Sequence, residues 1–333
     1  MDTATPLGVA VTAWPRLRAG MAAGALLLVL GASPLAAERY ALIVTGASGG
    51  APYAQKYDKW RVSLVTTLRE KFKYPDDRLF VLAETESRGT GKATRENVQR
   101  VLGDMQKRLT KDDLLLVFLI GHGTSLDVDD AKFNLVGPDM TAGQWAELLN
   151  PIPGRLVFVD TTAASFAFMH KVAGRGRVVL TATDSDAQQF ETALAEFLIK
   201  AFDDPAADLD KDGRVSVLEA FTYASAGVRH WYEERGELPT ERPLLDDNGD
   251  GIGREADNPG PDGPLARITY LEPEATPADA ALAALLNRRA ELEADLEELK
   301  ARRSSMSPAQ YDAQVEKILL DLARLSQQIR PKS

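Results

Sequence analysis

The sequence contains no cysteine, few histidines and no excess of basic residues. Its 333 residues include 0 Cys and 3 His, and 39 Lys and Arg stand against 49 Asp and Glu, which gives a formal net charge of −10. Without a thiol, the chain forms no disulfide, offers no thiolate to a metal and has no cysteine nucleophile. The acidic balance, with no basic stripe to compensate for it, argues against a nucleic-acid partner.

Long apolar runs are also scarce. An apolar run over residues 21–30 follows Arg16 and Arg18, and small residues continue as far as Ala37. The run is short for a bilayer crossing, and this order of basic, apolar and small residues is typical of a secretory signal peptide. We predict a signal over residues 1–37, cleavage after Ala37, a periplasmic or extracellular location and no stable membrane span after removal of the signal. A retained membrane anchor is the alternative.

From residue 38 onward, short apolar runs alternate with segments of helical periodicity. The apolar runs lie at residues 40–44, 79–82, 114–120, 156–159 and 178–180. Helices are predicted near residues 53–72, 94–109, 141–149 and 190–202. Strands that are apolar throughout and alternate with helices are typical of a mostly parallel sheet with helices on both faces. We therefore predict an α/β domain over residues 38–204.

Residues 205–263 are rich in Asp, Gly and Pro, and they contain a twelve-residue acidic motif before a helix predicted from Val217 to about Arg235. The motif has carboxylates at positions one, three and five, glycine at six, a backbone carbonyl at seven, a hydroxyl at nine and glutamate at twelve, which are Asp208, Asp210, Asp212, Gly213, Arg214, Ser216 and Glu219. These are the ligand positions of an EF-hand loop, and Ca²⁺ takes roughly six to eight oxygens. The motif predicts a calcium site, and an acidic surface turn is the alternative.

A second acidic turn covers residues 246–251. Asp246, Asn248 and Asp250 match the first half of the same motif. Ile252 then comes one position early, and Asp257 rather than glutamate stands at position twelve. Two interpretations stay open, a weaker second ion site or only a turn.

Residues 264–333 are predicted to be a linker and a helical hairpin. Leu285, Leu292 and Leu299 form the apolar stripe of the first helix, interrupted by Arg289. The second helix carries a coiled-coil seam with spacings of four and three, at Tyr311, Val315, Ile318, Leu322, Leu325 and Ile329. The pair is interpreted as an intramolecular antiparallel hairpin, and a dimerisation or docking device is the alternative.

Candidate functional residues follow three of the predicted strands. In a parallel sheet, binding and catalytic groups collect at the carboxyl ends of the strands. His122 lies there between two glycines, in an open position that suits general acid–base chemistry. A glycine-rich turn at residues 45–50 suggests a nucleotide-binding enzyme more weakly, because its spacing is not Gly-x-Gly-x-x-Gly and Glu84 lies beyond the expected interval.

The sequence 160–165, Asp-Thr-Thr-Ala-Ala-Ser, follows the fourth strand. A strand that ends in an open His-Gly, then a helix, then a strand that ends in a turn of small residues resembles the caspase and legumain group of cysteine peptidases. The legumain family is the more similar, since Phe158 and Ser165 also fit its pattern. The resemblance extends over roughly residues 39–202 and implies a caspase/legumain-like fold for that part of the chain.

The resemblance also implies roles for single residues. His122 matches the general base of the family, and Gly123 matches the residue whose amide helps to form the oxyanion hole. Ala163 matches the nucleophile, which is cysteine in the family. Because alanine has no lone pair with which to attack a carbonyl, thiolate catalysis is impossible here.

Two functions follow from this substitution. The first is an exported calcium-binding protein whose inactive peptidase-like domain binds a peptide or a protein, and we expect this function rather than an enzyme. The second is an active hydrolase that uses Ser165 or Thr162 with His122. Alternation along a strand places Thr162 on the face opposite to residue 163, which counts against it.

Overall fold

The protein is an α/β structure around a mostly parallel sheet. The computed structural model describes residues 37–125, 130–186, 188, 190–273, 280–301, 303 and 306–329. The strands of these residues, in chain order, are β1 (Arg39–Thr45), β2 (Leu79–Ala83), β3 (Gly91–Lys92), β4 (Leu114–Ile120), β5 (Gly123–Thr124), β6 (Lys132–Phe133), β7 (Met140–Thr141), β8 (Arg155–Asp160), β9 (Arg177–Thr181) and β10 (Leu244–Asp246).

The strands form two sheets. The larger has seven strands in the order β10-β9-β8-β4-β1-β2-β3, and the smaller has the order β5-β6-β7. Every pair in the larger sheet is parallel except β10 with β9. The small sheet is antiparallel and begins directly after β4, so it grows from the carboxyl edge of the large sheet.

Helices α1 to α7 lie against the large sheet and cover both of its faces, and two longer helices follow them. In chain order, the helices of the described residues are α1 (Ala51–Thr66), α2 (Arg95–Arg108), α3 (Ala142–Leu149), α4 (Phe166–Val172), α5 (Leu194–Ala201), α6 (Val217–Arg235), α7 (Pro264–Arg267), α8 (Ala280–Ala301) and α9 (Pro308–Ile329). A π-helical turn, Thr67–Lys71, extends α1, and a 3₁₀ turn, Pro205–Ala207, follows α5. In the part of the chain that the structure describes, no helix combines the length and apolar character that a bilayer crossing requires.

Alternate residues of the central strands pack into two separate hydrophobic cores, one on each face of the sheet. In β1, Ala41 and Ile43 pack with α1, α5 and α6. Tyr40, Leu42 and Val44 lie on the other face and pack with α2, α3 and α4. All seven residues of β4 are buried, as the period-two geometry of a strand covered on both sides requires.

Local sequence signals place several helix ends as predicted. Helix α6 has the predicted bounds, Val217–Arg235. Thr94 caps α2, since its side chain accepts a hydrogen bond from the N–H of Asn97. The helix predicted from Phe190 was wrong at its start, because α5 begins only at Leu194. The predicted signal, apart from Ala37, lies outside the described residues.

A distant carboxylate explains the late start of α5. The N–H groups of Ala193 and Leu194 both donate to Glu241, each at 2.7 Å. Glu241 is only 2% exposed, so it acts as an enclosed cap for the positive end of the helix. Burial raises the pKa of Glu241 to about 7, against the opposing effect of the two N–H donors.

This elevated pKa predicts a pH-dependent stability. A carboxyl group whose pKa is higher in the folded state than the ordinary 4.5 binds its proton more tightly in the folded protein. The free energy of unfolding therefore falls as pH rises from 4.5 through 7. We expect Glu241→Gln to remove this contribution, roughly 2–3 kcal/mol between pH 4.5 and pH 8. Urea unfolding at several pH values measures it. Glu237→Gln, at an exposed position, should keep the wild-type slope, and an unchanged slope in Glu241→Gln would contradict the expectation.

Candidate functional site

The pairing of β4 with β8 brings two of the predicted segments together. Leu119 is in register with Asp160, and both strands end within a residue of this pair. Just beyond it, Thr161 donates to the carbonyl of Leu119 from its N–H at 3.2 Å and from its hydroxyl at 2.7 Å. The loop that carries His122 and the turn that carries Ala163 therefore leave the sheet side by side.

His122 is partly buried and is held by groups of the chain itself. Its Nε2 lies 3.1 Å from the carbonyl oxygen of Ser48, which only accepts, so Nε2 carries a proton. The hydroxyl of Tyr57 lies 3.3 Å from both ring nitrogens, and Tyr53 meets the ring edge-on at a centroid distance of 4.7 Å. Burial, with the Glu191 carboxylate adding to it, raises the pKa of Tyr57, so this hydroxyl stays protonated and can donate to Nδ1.

Ser165 lies deep in the turn after β8 and is not exposed. Its oxygen accepts from the N–H groups of Ala182 at 3.0 Å and Thr183 at 3.2 Å, and it lies 3.0 Å from the Thr183 hydroxyl. These bonds tie the turn to the end of β9. Among the hydrogen bonds of the described residues, none joins His122 to Ser165 or to Thr162.

Thr162 follows the end of β8 and lies against the His122 loop, while Ala163 beside it reaches the surface. A Cβ placed on Gly123 would come within 2.5 Å of the Thr162 hydroxyl oxygen, so that oxygen points toward the His122 loop. The oxygen is buried, and the residue is 0% exposed. Thr162 is thus near the loop but closed off from solvent.

Ala163 is the residue of the turn that reaches the surface. It is partly exposed, whereas Thr161, Thr162, Ala164 and Ser165 around it are buried. The surface of the turn is therefore a methyl group, with the neighbouring hydroxyls directed inward.

Asp160 stabilises the turn through a hydrogen bond to its backbone. Its Oδ1 accepts from the N–H of Thr162 at 2.9 Å. Burial raises the pKa of Asp160 to about 7, opposed by the N–H and the side chain of Thr162. The carboxyl group stabilises the turn, and its contact is with Thr162 rather than with the imidazole.

The glycine-rich turn at residues 45–50 has little capacity to bind phosphate. The N–H groups of Gly46 and Ala47 donate to backbone carbonyls at 2.9 and 3.0 Å. The N–H of Ser48 donates to the Glu84 carboxylate at 3.2 Å, and that of Gly50 to the Ser48 hydroxyl at 3.4 Å. Because a phosphate cradle needs unengaged N–H donors, this turn does not favour a nucleotide site.

The acidic loop at residues 208–219 draws three carboxylates together. Ligand atoms of Asp208, Asp210 and Asp212 all lie within 4.8 Å of one another, close enough to hold a metal ion. Gly213 takes a φ of +89°, which a residue with a Cβ adopts at a cost, and its N–H donates to Asp208 Oδ2 at 3.0 Å. Burial and the charge of Asp212 raise the pKa of Asp210 to about 6, partly offset by Arg289, so the loop concentrates negative charge.

Glu219 closes the loop from the first turn of α6. Its Oε1 accepts from the N–H groups of Leu209 at 2.9 Å and Asp210 at 3.1 Å. Its Oε2 accepts from the N–H and the hydroxyl of Ser216, both at 2.8 Å, as part of a capping box. The same carboxylate therefore ends the loop and begins the helix.

A cationic side chain from α8 reaches this loop. Arg289 is 7% exposed, and its guanidinium donates to Asp210 Oδ2 at 3.1 Å and to Asp212 Oδ2. The hydroxyl of Tyr270 donates to the same Asp212 oxygen at 3.2 Å. Sequence reasoning noted Arg289 only as a break in a leucine stripe. That break was the available signal, because a charged residue on a buried helix face needs a partner.

The second acidic turn begins at the edge of the sheet. Asp246 is the last residue of β10 and is fully buried. Asp257, at position twelve of the sequence motif, is exposed and pairs with Arg229 at 3.4 Å. Asp262 lies against the start of the turn, a contact that the sequence motif did not predict.

The close approach of the two sheet-edge segments gives a testable expectation. A Cβ on Gly123 would meet Thr162 Oγ1 at 2.5 Å and Ala164 Cβ at 2.7 Å. We expect Gly123→Ala to lower the free energy of unfolding by about 1–3 kcal/mol. Gly103→Ala is the control, since nothing lies within 4 Å of that Cβ on α2, and it should stabilise by up to about 1 kcal/mol. Equal stability of the two variants in urea would show that the segments do not touch.

Comparisons with known proteins do not assign the chain to a family. No protein-family model and no curated protein matches it. Among solved structures, it is similar to protein GSU0716 from Geobacter sulfurreducens, with 15% sequence identity, a TM-score of 0.39 and coverage of 63% of this chain and 92% of that one. This similarity is too low to carry an argument, so the functional interpretation depends on the site geometry.

Proposed function

We propose that the chain is an exported calcium-binding protein whose caspase/legumain-like domain binds a peptide or protein segment without cleaving it. The observation that carries the proposal is the turn after β8. There a partly exposed alanine, Ala163, lies where the resemblance implies a nucleophile, and the nearest hydroxyls are buried.

The geometry around His122 supports a binding role over catalysis. A hydrolase needs a nucleophile within hydrogen-bond reach of its base and open to substrate. Both nitrogens of His122 lie within reach of Ser48 or Tyr57 instead. Ser165 is used by the end of β9, and Thr162 is enclosed, so the hydroxyl alternatives lose support.

The strand that follows His122 offers a means of binding a peptide. Strand β5 lies at the outer edge of the small sheet and pairs only with β6 within it. An extended peptide can add to such an edge through main-chain hydrogen bonds, with side-chain pockets supplying selectivity. The edge begins at Gly123, so an added peptide would pass the His122 loop and the Ala163 turn.

Calcium binding at residues 208–219 is the second element of the proposal. The loop supplies carboxylates from Asp208, Asp210, Asp212 and Glu219, and the carbonyl of Arg214 and the hydroxyl of Ser216 complete an EF-hand set. The support is the packing of three carboxylates within ligand distance of one another. Outside the cytosol calcium reaches roughly millimolar levels, so a loop of modest affinity fills and stabilises the fold there.

Arg289 contacts two of the carboxylates that calcium would use as ligands. Its guanidinium neutralises Asp210 and Asp212 from α8, so an ion that uses the same oxygens must displace it. A displaced guanidinium weakens the hold of α8 on the loop. Calcium binding and the docking of α8 against the loop are therefore opposed. The C-terminal helices are a candidate second contact for a partner, since Leu319 and Leu320 on α9 are about half exposed.

A cysteine placed at position 163 tests the peptidase kinship. Because the chain has no other cysteine, any thiol label reports on that position alone. We expect the thiol of Ala163→Cys to have a lowered pKa beside His122 and to react with iodoacetamide at pH 6 roughly tenfold faster than a free cysteine. The added substitution His122→Ala should remove the advantage. Mass spectrometry of the alkylated protein gives the rates.

Two controls make this measurement decisive. Ala313→Cys, at an exposed position on α9, should react at the ordinary rate with or without His122. Equal rates for Ala163→Cys in both His122 backgrounds would contradict the kinship. The wild-type protein should not react with a serine-directed phosphonate, and labelling that depends on His122 would favour the active hydrolase instead.

The calcium affinities of two variants should change in opposite directions. Glu219→Gln removes a charged ligand, so we expect affinity to fall by roughly tenfold or more. Arg289→Gln removes the competing cation, so affinity should rise by about tenfold, on the scale of one charge pair. Isothermal titration calorimetry measures both, and chelation should lower the wild-type melting temperature.

Neighbouring residues provide matched controls for this pair. Glu237→Gln and Arg288→Gln change the same residue types at exposed positions and should leave the affinity unchanged. Equal affinity in Glu219→Gln and wild type would defeat the assignment of the loop. Weaker binding in Arg289→Gln would instead show that the guanidinium organises the site rather than competing for it.

A further inference from the structure

The second acidic turn shares several hydrogen bonds with the first loop, although Asp246 also accepts from the N–H of Gly249 at position four, whereas Asp208 accepts from that of Asp212 at position five. In each, the glycine at position six donates its N–H to the carboxylate at position one, Gly213 to Asp208 at 3.0 Å and Gly251 to Asp246 at 2.5 Å. Both glycines lie in the left-handed region, at φ +89° and +75°. The two turns therefore begin with the same backbone path around a carboxylate.

The correspondence continues through positions three, five and seven. In the second turn, the N–H of Asp250 donates to Asn248 Oδ1 and the N–H of Ile252 donates to Asp250 Oδ1, both at 2.8 Å. The first loop makes the same two bonds, at 3.0 and 2.8 Å. Side-chain oxygens at positions three and five are thus oriented alike in the two segments.

The two turns differ in which residue closes them. In the first loop, Glu219 Oε1 accepts the N–H groups of positions two and three. In the second, the N–H groups of those positions, Asp247 and Asn248, donate to Asp262 Oδ1 at 3.1 and 3.2 Å. Asp257, which the twelve-residue spacing selects, instead faces solvent and Arg229. Asp262, which lies beyond the twelve-residue motif, therefore accepts the hydrogen bonds that the residue at position twelve accepts in the first loop.

The other oxygen of Asp262 has no partner. Asp262 is 4% exposed, and its Oδ2 is buried with no hydrogen-bond donor among the residues that the structure describes. The matching oxygen of Glu219 is bonded to Ser216. A buried carboxylate oxygen without a donor is unfavourable, and a bound cation would satisfy it.

The side chain of Asp247 contacts the start of α7. Its two oxygens accept from the N–H groups of Gly263 at 2.8 Å and Ala266 at 2.7 Å, so it caps the short helix α7. The remaining oxygens around the turn belong to the residues at positions one, three, five and seven and to Asp262.

We propose that Asp246, Asn248, Asp250 and Asp262, with the carbonyl of Ile252, form a second calcium site in which Asp262 is the closing ligand. All donors are oxygens, a carboxamide and a carbonyl among them, which suits a hard cation that accepts irregular coordination. The site adds to the proposed loop at residues 208–219 and does not depend on calcium binding there.

Calorimetric titration of the full chain with CaCl₂ tests the proposal, with circular dichroism to verify folding. We expect two ions bound per wild-type chain, and in Glu219→Gln one of them should bind roughly tenfold or more weakly while the other keeps its affinity. In the Glu219→Gln background, Asp262→Asn should remove the binding that keeps its affinity. The matched change Asp257→Asn, at the position that the sequence spacing selects, should retain it.

The outcomes separate the two sites. Binding of unchanged affinity in Glu219→Gln that survives Asp262→Asn but not Asp257→Asn, or survives both, overturns the assignment, as does a Glu219→Gln chain that binds no calcium. If Asp262→Asn fails to fold, Asp250→Asn replaces it, since Asp250 is exposed and its loss should weaken the same binding at least about tenfold. Wild-type binding that responds to Asp262→Asn but not to Glu219→Gln would reject the first loop and keep the second.

Discussion

The parallel pairing of β4 with β8 determines what the sheet edge can do. Because the two strands end in register, the His122 loop and the Ala163 turn leave the sheet in van der Waals contact, with Gly123 against Thr162. Buried hydrogen bonds to Leu119 and to the end of β9 then fix the turn. Ala163 is the partly exposed residue of this turn, so the side chain at that position can differ without disturbing the buried contacts around it.

Charge imposes the second constraint, on the loop at residues 208–219. Clustered carboxylates repel one another unless a cation lies among them. In this structure the cation is Arg289, which arrives from a helix far along the chain. Removing one partner of a buried charge group is costly, so a metal ion at these oxygens would have to replace the guanidinium. The proposed calcium binding would in that way be linked to the position of α8.

The limits of the sequence analysis follow from the range of the interactions. Elements decided by local signals were predicted well, and the helix Val217–Arg235 has the bounds that its cap and periodicity indicated. The start of α5 was wrong because the cap, Glu241, is distant in sequence. The partner of a buried charge and the closing ligand of the second turn depend on tertiary contacts that no spacing reveals.

One short segment joins the two acidic loops. At its start, Asp262 accepts the N–H groups that open the second turn. At its end, Thr269 accepts the N–H of Val217 at 2.8 Å, and the hydroxyl of Tyr270 donates to Asp212. Helix α7, capped from the second turn, lies between these contacts. A cation bound at either of the two proposed sites would therefore act on the same nine-residue segment, 262–270.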